Sequence, residues 1–285
     1  MKIIQSFAQF DEGSHYLMYD ENNIDKIYLN FYVNLLSVLT LQKYYNQVTM
    51  YCNQKAYDSF IKYLPYHEIK IVENKNPFEF WSYYKVDIIK RQTAKFIHVD
   101  PDVFIFDDLF SDFIKTRKYD IMVQDTIQPH LNPIKSEMAE IERYLKDIDD
   151  VHYKYCDGKA HSNGVVGMTV KVKKEFIKMC ETFKKGYVNG ELKVHSIAMI
   201  AEELALYLVA MHDELKCHEV LPYDEIVANG IKDTANKRKY THMWGDSKFN
   251  LKYIELVKLK IKKEFPKSYS IVEKYEREVI NNVLV

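Results

Sequence analysis

Glycine and proline are scarce in this chain, 8 and 7 of 285 residues, against usual shares of about 7% and 5%. That excludes collagen-like repeats and Pro/Gly-rich low-complexity sequence, and it leaves no obvious interdomain linker. Cysteine is sparse too: Cys52, Cys156, Cys180 and Cys217 are widely spaced and form no Cys-x-x-Cys pair. Neither a disulfide framework nor a structural zinc knuckle is expected, and reduced thiols in a cytoplasm fit this usage. His212, Cys217 and His218 are close in sequence but match no metal-ligand spacing. Charge of one sign is also missing, since 40 Lys and Arg oppose 41 Asp and Glu. No general field grips nucleic acid or an anionic membrane, so an anionic ligand must be held by a few placed cations. Long apolar runs are lacking as well. The opening stretch Met1 to Phe10 has none of signal-peptide length, and Ser196 to Met211 is interrupted by Glu202 and Glu203, whereas a membrane span needs about 20 largely apolar residues. The expectation is a cytoplasmic protein with no membrane-spanning segment and no nucleic-acid partner.

What is present is a folding composition, 47% hydrophobic, 14% aromatic and 28% charged. Short β-rich runs alternate with helical stretches over the first 125 residues. Lys2 to Phe7, Gln47 to Cys52, Glu68 to Val72, Lys95 to Val99 and Asp120 to Gln124 read as strands, with helices over Leu29 to Tyr45 and Phe80 to Arg91. Strands separated by helices imply an α/β fold with right-handed crossovers and a mixed, mostly parallel sheet covered by helices. Residues 126 to 160 lose the alternation, hold Pro129 and Pro133 and contain a helical stretch from Lys135 to Asp149, as an insertion over the sheet edge would. Gly164 to Val170 reads as a further strand, and Val172 to Lys185 and Val194 to His212 as helices. Leu251 to Leu284 is a charged amphipathic helix broken near Pro266, expected as a solvated packing element.

The sharpest local signal is Phe96-Ile97-His98-Val99-Asp100-Pro101-Asp102. In an open sheet, ligands bind outside the carboxyl ends of strands, so a strand ending in acids aims them at that crevice. In extended backbone, residues i and i+2 project to one side, and two convergent carboxylates suit a hard divalent cation. The plainer alternative is that Asp100 and Asp102 make turn hydrogen bonds around Pro101. The second signal is His242-Met243-Trp244-Gly245-Asp246-Ser247-Lys248. An imidazole can complete the coordination of Mn²⁺, a glycine allows backbone to approach phosphate, and a lysine brings a point charge to it. The same heptapeptide would also serve as an ordinary surface loop.

Together these motifs resemble the glycogenin-like retaining glycosyltransferases of the glycosyltransferase-A fold, which pair an Asp-x-Asp strand end with a late His-x-x-Gly-x-x-Lys. The resemblance extends to Tyr84-Lys85-Val86 and to Asp107-Asp108-Leu109-Phe110. It implies that Asp100 and Asp102 contact metal and ribose, that His242 binds the metal, that Gly245 and Lys248 hold the donor diphosphate, and that Lys85 lies near the donor. His161-Ser162-Asn163-Gly164-Val165-Val166 resembles the family's Asn-Ser-Gly-Val segment beside the transferred sugar, with Asn163 one position later. Ala201-Glu202-Glu203-Leu204 falls where the family carries Asp-Gln. The family's Lys-Pro-Trp ending is replaced by Lys248-Phe249-Asn250.

The resemblance thus implies a single glycosyltransferase-like domain over 1–285. Its nucleotide-sugar-binding half covers about 1–105 and its metal and acceptor half about 106–250, with a C-terminal helical extension over 251–285. The implied reaction moves a hexose from a nucleotide-sugar, UDP-type, to a carbohydrate or other small acceptor, with Mn²⁺ or Mg²⁺ as cofactor and Lys248 sharing the charge of the leaving diphosphate. Gln5, Ser6 and Phe7 are candidates for holding the base, and Asp125 for facing the sugar. On a helix from Ser196 to Met211, Ile197, Ile200, Leu204, Leu208 and Met211 mark a buried stripe. At 100° per residue Glu203 borders it and Glu202 points nearly opposite, so Glu203 is the expected catalytic carboxylate. Two other functions are open: a nucleotidyltransferase, disfavoured because Ser6 to Asp11 is not a Gly-rich basic loop, and a sugar-nucleotide-binding protein without turnover.

Overall fold

The computed structural model describes residues 2–10 and 24–283; Asp11 and Leu284, the ends of two segments named above, lie outside them. The chain runs β1 (Lys2–Phe7), α1 (Ile24–Gln42), β2 (Val48–Cys52), α2 (Gln54–Ser59) and β3 (Glu68–Ile71). It continues through α3 (Tyr83–Lys90), β4 (Phe96–Val99), β5 (Val103–Ile105), α4 (Ser111–Lys115), β6 (Ile121–Ile127) and α5 (Met138–Asp147). Then come β7 (Ala160–Met168), α6 (Val170–Val188), α7 (Ile197–Met199), a π-helical turn (Ile200–Leu204) and α8 (Ala205–His212). Last are β8 (Cys217–Glu219), α9 (Tyr223–Asn229), α10 (Ile231–Arg238), β9 (Tyr240–His242), α11 (Leu251–Glu264) and α12 (Tyr269–Val283). The α/β class holds. Parallel strands ordered β3-β2-β1 lie in one compact unit, and mixed strands ordered β4-β7-β6-β8 lie in another.

The terminal unit comprises Ile3–Asn74, Pro101–Asp107 and Tyr240–Val285. β1 pairs parallel with β2 and β2 with β3, Ile3 opposite Val48 and Thr49 opposite Glu68. β1 and β2 bury almost every side chain, as strands covered on both faces do. Asn53 joins the end of the β1 segment to α2: its Oδ1 accepts from the backbone N–H of Ala56 at 3.2 Å and of Gln9 at 3.0 Å, and its Nδ2 donates to the Gln9 carbonyl at 2.6 Å. α1 buries Phe31, Tyr32, Leu35 and Leu36 in a core shared with Ile254, Val257 and Ile261 of α11 and Val272 and Tyr275 of α12. Phe31 stacks on Tyr275 with ring centroids 3.9 Å apart. The charged C-terminal stretch is therefore half core, and only its other face is solvated.

The central unit comprises Lys75–Asp100 and Asp108–Lys239, together with Met1–Lys2. The mixed character of the sheet lies here: β7 runs antiparallel to both β4 and β6, while β6 and β8 pair parallel. The excursion over residues 128–159 returns the chain so that β7 enters the sheet reversed. β7 also starts at Ala160, four residues before the expected Gly164, and all nine of its residues are buried. His161, Ser162 and Asn163 thereby become strand residues. Thr169 caps α6 by accepting from the Val172 N–H, which turns the chain directly from strand to helix.

Gly167 shows how tightly β7 is enclosed. A Cβ there would lie 2.7 Å from Cε1 of Phe113 and 3.2 Å from Cγ1 of Ile97, both fully buried side chains. Overpacking of this kind costs about 1–3 kcal/mol, more than the roughly 0.4–1 kcal/mol gained by stiffening the unfolded chain. Gly167→Ala is accordingly expected to lower unfolding free energy by about 1–2 kcal/mol, read from the urea midpoint; an unchanged or raised midpoint would refute this packing. All four cysteines are free thiols. Among the described residues no helix is long and apolar enough to cross a membrane.

Candidate active site

In the central unit the residues that carry chemistry gather around one buried ammonium. Lys85, on α3, is 7% exposed. Its Nζ lies 2.8 Å from Oδ1 of Asp100 and 2.5 Å from Oε1 of Glu202, and donates to the Asn163 carbonyl at 2.6 Å. Burial alone would lower the lysine's pKa, but the carboxylates of Asp100 and Glu202 outweigh it and hold the ammonium above its ordinary value. Asn163 closes the ring by donating from Nδ2 to the Glu202 carbonyl, and its Oδ1 is buried without a partner. His98, fully buried on β4, sits 3.6 Å from Asp100. Burial first, then the Lys85 charge, keeps this imidazole well below its usual pKa and so neutral.

One expectation needs correction here. The helical wheel turned Glu202 away from the core, whereas it is 8% exposed and is Lys85's closest carboxylate. The cause is the π turn over Ile200–Leu204: its wider i→i+5 hydrogen bonding breaks the 100° step on which the wheel rests. Glu203 is also turned inward, with its Oε2 buried and unpartnered. Burial raises its pKa well above the ordinary carboxylate value, reinforced by the charges of Glu202, Asp125 and Asp100 against the opposing pull of Lys85. Asp125 lies on β6 just after a register shift between Val123 and Asp125; such bulges re-aim side chains and often border active sites.

In the terminal unit the late motif is positioned by a short ladder absent from the sequence reading. β5 and β9 pair antiparallel, with Val103 opposite His242, and the Met243 N–H donates to the Asp102 carbonyl at 2.9 Å. This brings Nε2 of His242 within 3.3 Å of Oδ1 of Asp102, and Nζ of Lys248 onto Oδ2. Asp102 is 6% exposed. Burial would raise its pKa, yet Lys248 and His242 pull it well below the carboxylate range, so it is ionised. Its Oδ1 has the His242 imidazole as its neighbour at ion-pair distance. Gly245 has φ +56° with open space where a side chain would stand, a conformation that disfavours any other residue. Trp244 is 57% exposed, its ring 5.6 Å from that of His242. Ser6 and Phe7 end β1, but the amide of Gln5 is already engaged, donating to Ser37 Oγ at 2.9 Å and accepting from Tyr66 Oη at 2.8 Å.

Asp100, the last residue of the central unit's first segment, precedes Asp102 by two residues in sequence. Among the described residues His212, Cys217 and His218 form no group gathered closely enough to hold a metal ion; His212 instead pairs with Asp213 at 2.8 Å. A family model described as a family of unknown function, DUF6734, matches residues 1–275. The chain belongs to that family. No curated protein matches this DUF6734 chain. Solved structures similar to it include the galactosyltransferase LgtC in complex with donor and acceptor sugar analogues, at 11% identity and TM-score 0.40 over 72% of each chain. Another is the apo form of mouse xyloside xylosyltransferase 1, at 10% identity and TM-score 0.44 over 85% of this chain and 96% of that one. Likenesses this distant identify no activity.

The central constellation makes a direct stability prediction for the DUF6734 chain. Removing one partner of a buried ion pair leaves an uncompensated charge and costs about 3–5 kcal/mol. Lys85→Met should lose that amount in denaturant unfolding, and adding Glu202→Gln to it should restore part of the loss. If the double variant is no more stable than Lys85→Met alone, the pairing does not govern this site.

Proposed function

We propose that the chain is a metal-dependent glycosyltransferase that moves a hexose from a UDP-type nucleotide-sugar to an acceptor hydroxyl, with retention of configuration. The observation that carries this reading is the Asp102–His242–Lys248 cluster, in which a buried, ionised carboxylate has one oxygen against an imidazole and the other on a lysine. That oxygen, the imidazole and the Asp100 carboxylate form a mixed O/N donor set suited to Mn²⁺ and tolerable for Mg²⁺. A bound ion of this kind neutralises charge on a leaving diphosphate.

The remaining work falls to the chain's own groups. In the transfer the bond between the sugar's anomeric carbon and the diphosphate oxygen breaks, a new bond to the acceptor oxygen forms, and the acceptor's proton leaves with the nucleoside diphosphate. Lys248 shares the negative charge that develops on that diphosphate, a contribution made mainly in the transition state. Gly245, in its left-handed conformation with no side chain in the way, lets backbone N–H groups approach the phosphates. Glu203 is the group we assign to the sugar: its raised pKa keeps it protonated in the free chain, and positive oxocarbenium-like charge beside it favours the ionised form that stabilises that charge.

Calorimetric titration with UDP in the presence and absence of Mn²⁺ tests the metal assignment. Binding should depend on the ion, and Asp102→Asn and His242→Ala should each weaken it by at least about tenfold, the lower end of what losing even an outer partner of a metal ligand costs. Unchanged Mn²⁺-dependent affinity in both variants would reject the ligand set. Glu203 is separable from binding. Glu203→Gln should lower transfer by about 10²-fold or more with UDP affinity intact. Because the folded-state pKa of Glu203 is raised above its ordinary value of 4.5, the wild type loses stability as pH climbs past that value, when the unfolded chain releases a proton that the folded one keeps. The glutamine variant should lack this slope, and melting curves between pH 5 and 8 that fall equally in both proteins would contradict the assignment.

A further inference from the structure

The central unit holds a pocket of about 390 Å³, within the range of about 300–1,000 Å³ usual for small-ligand sites. Its walls continue the elements that carry the Lys85 constellation. His161 stands on β7 two residues before Asn163, Thr126 follows Asp125 on β6, and Tyr207 and Met211 lie on α8 directly after the turn bearing Glu202 and Glu203. Glu219 of β8 and Tyr223 of α9 complete the part that matters for recognition.

A hydrogen-bond chain fixes the protons there. Thr126 Oγ1 donates to Oε1 of Glu219, so toward His161 it can only accept, taking the Nδ1–H at 3.2 Å. Nε2 of His161 then carries a lone pair and no proton. It is buried and without a partner, and burial pushes the imidazole pKa down to about 3, so the ring does not answer the need by protonating. A buried acceptor lacking a donor costs about 1–3 kcal/mol, and a ligand O–H relieves it. Beside it, Tyr207 meets the imidazole edge-on at 5.2 Å, its hydroxyl anchored on Asp157 at 2.8 Å. Tyr207 is 2% exposed and serves to back the imidazole, so Tyr223 and Met211 offer the apolar surface, and a tyrosine ring joins an apolar face to a polar tip. An unpartnered acceptor, a nearby carboxylate and aromatic faces suit a neutral ring that has both hydroxyls and C–H faces.

We propose that this pocket binds a neutral carbohydrate and is the acceptor subsite of the transferase, an assignment that rests on the reading above. Residues two apart on a strand share a face about 6.6 Å apart, so a sugar hydrogen-bonded to His161 lies one step along β7 from Asn163. The role of His161 is to receive a sugar hydroxyl through Nε2, with Tyr207 backing the imidazole and Tyr223 and Met211 holding the ring.

Saturation-transfer NMR with free glucose, galactose, maltose and lactose, without nucleotide or metal, tests the pocket directly. At least one of these sugars should bind, and Met211→Trp and Tyr223→Ala should each weaken that binding by about tenfold or more, as removal or obstruction of a central anchor does. Met211 is 43% exposed, so an indole there obstructs the pocket and not the core; melting temperature and UDP titration of both variants should match the wild type. Failure of all four sugars to bind the wild type, or binding untouched by both variants, overturns the proposal. Sugar binding abolished by Met211→Trp in a protein that shows no Mn²⁺-dependent UDP affinity would uphold the carbohydrate site and overturn the transferase reading instead.

Discussion

A carboxylate taken out of water needs a cation or a set of donors, and this requirement organises both chemical centres of the protein. Asp102, Asp100 and Glu202 are all largely removed from solvent and each has a lysine on it: Lys248 for the first and Lys85 for the other two. Neither lysine is a surface ornament, since exposed pairs of this kind are worth about 0–1 kcal/mol whereas a broken buried pair costs several. The two centres differ in what is left over. Around Lys85 the charges are closed into a ring with the Asn163 carbonyl, which makes that centre rigid. Around Asp102 an imidazole stands against one oxygen and a lysine against the other, so its two neighbours differ in chemistry where those of Lys85 are alike.

Most of the fold was legible because it follows hydrophobic period. β1, β2 and β4 are short apolar runs and lie within a residue or so of where the sequence puts them, and the break at Pro266 falls between α11 and α12. What the sequence hid was set by pairing at a distance. Nothing local in Tyr240-Thr241-His242 announces a strand, because its partner Val103–Ile105 is more than 130 residues away and three residues are too few for a pattern. The reversal of β7 was invisible for the same reason: direction in a sheet is decided by the connection and not by the strand. At the site, the two acid-bearing motifs were readable, and the ladder between β5 and β9 explains why Asp102 and His242 meet. Glu202 was misjudged, although a charge inside the otherwise apolar Ser196–Met211 stretch was itself a signal that something opposite must neutralise it. Lys85, already singled out, was that partner. His161 carried no comparable signal, since its unpartnered nitrogen exists only once Thr126 and Glu219 have fixed the tautomer.

Three departures from regular geometry lie at the two charged clusters, and their placement has a cause. A regular helix or strand distributes side chains by period, which is ideal for making a core and poor at bringing neighbouring polar groups to one place. The π turn carries adjacent Glu202 and Glu203, each with its carboxylate drawn into the central unit. The shift between Val123 and Asp125 re-aims an acid on the neighbouring strand, and the left-handed Gly245 opens the backbone beside Lys248. Each irregularity sacrifices a little local stability, and each is held by surroundings that are fully packed: α8 behind the turn, nine buried residues of β7 beside the bulge, and the β5–β9 ladder beneath the loop. Sequence rules built on period are therefore expected to succeed across the core and to fail at these three points, where the backbone gives up its period to position charge.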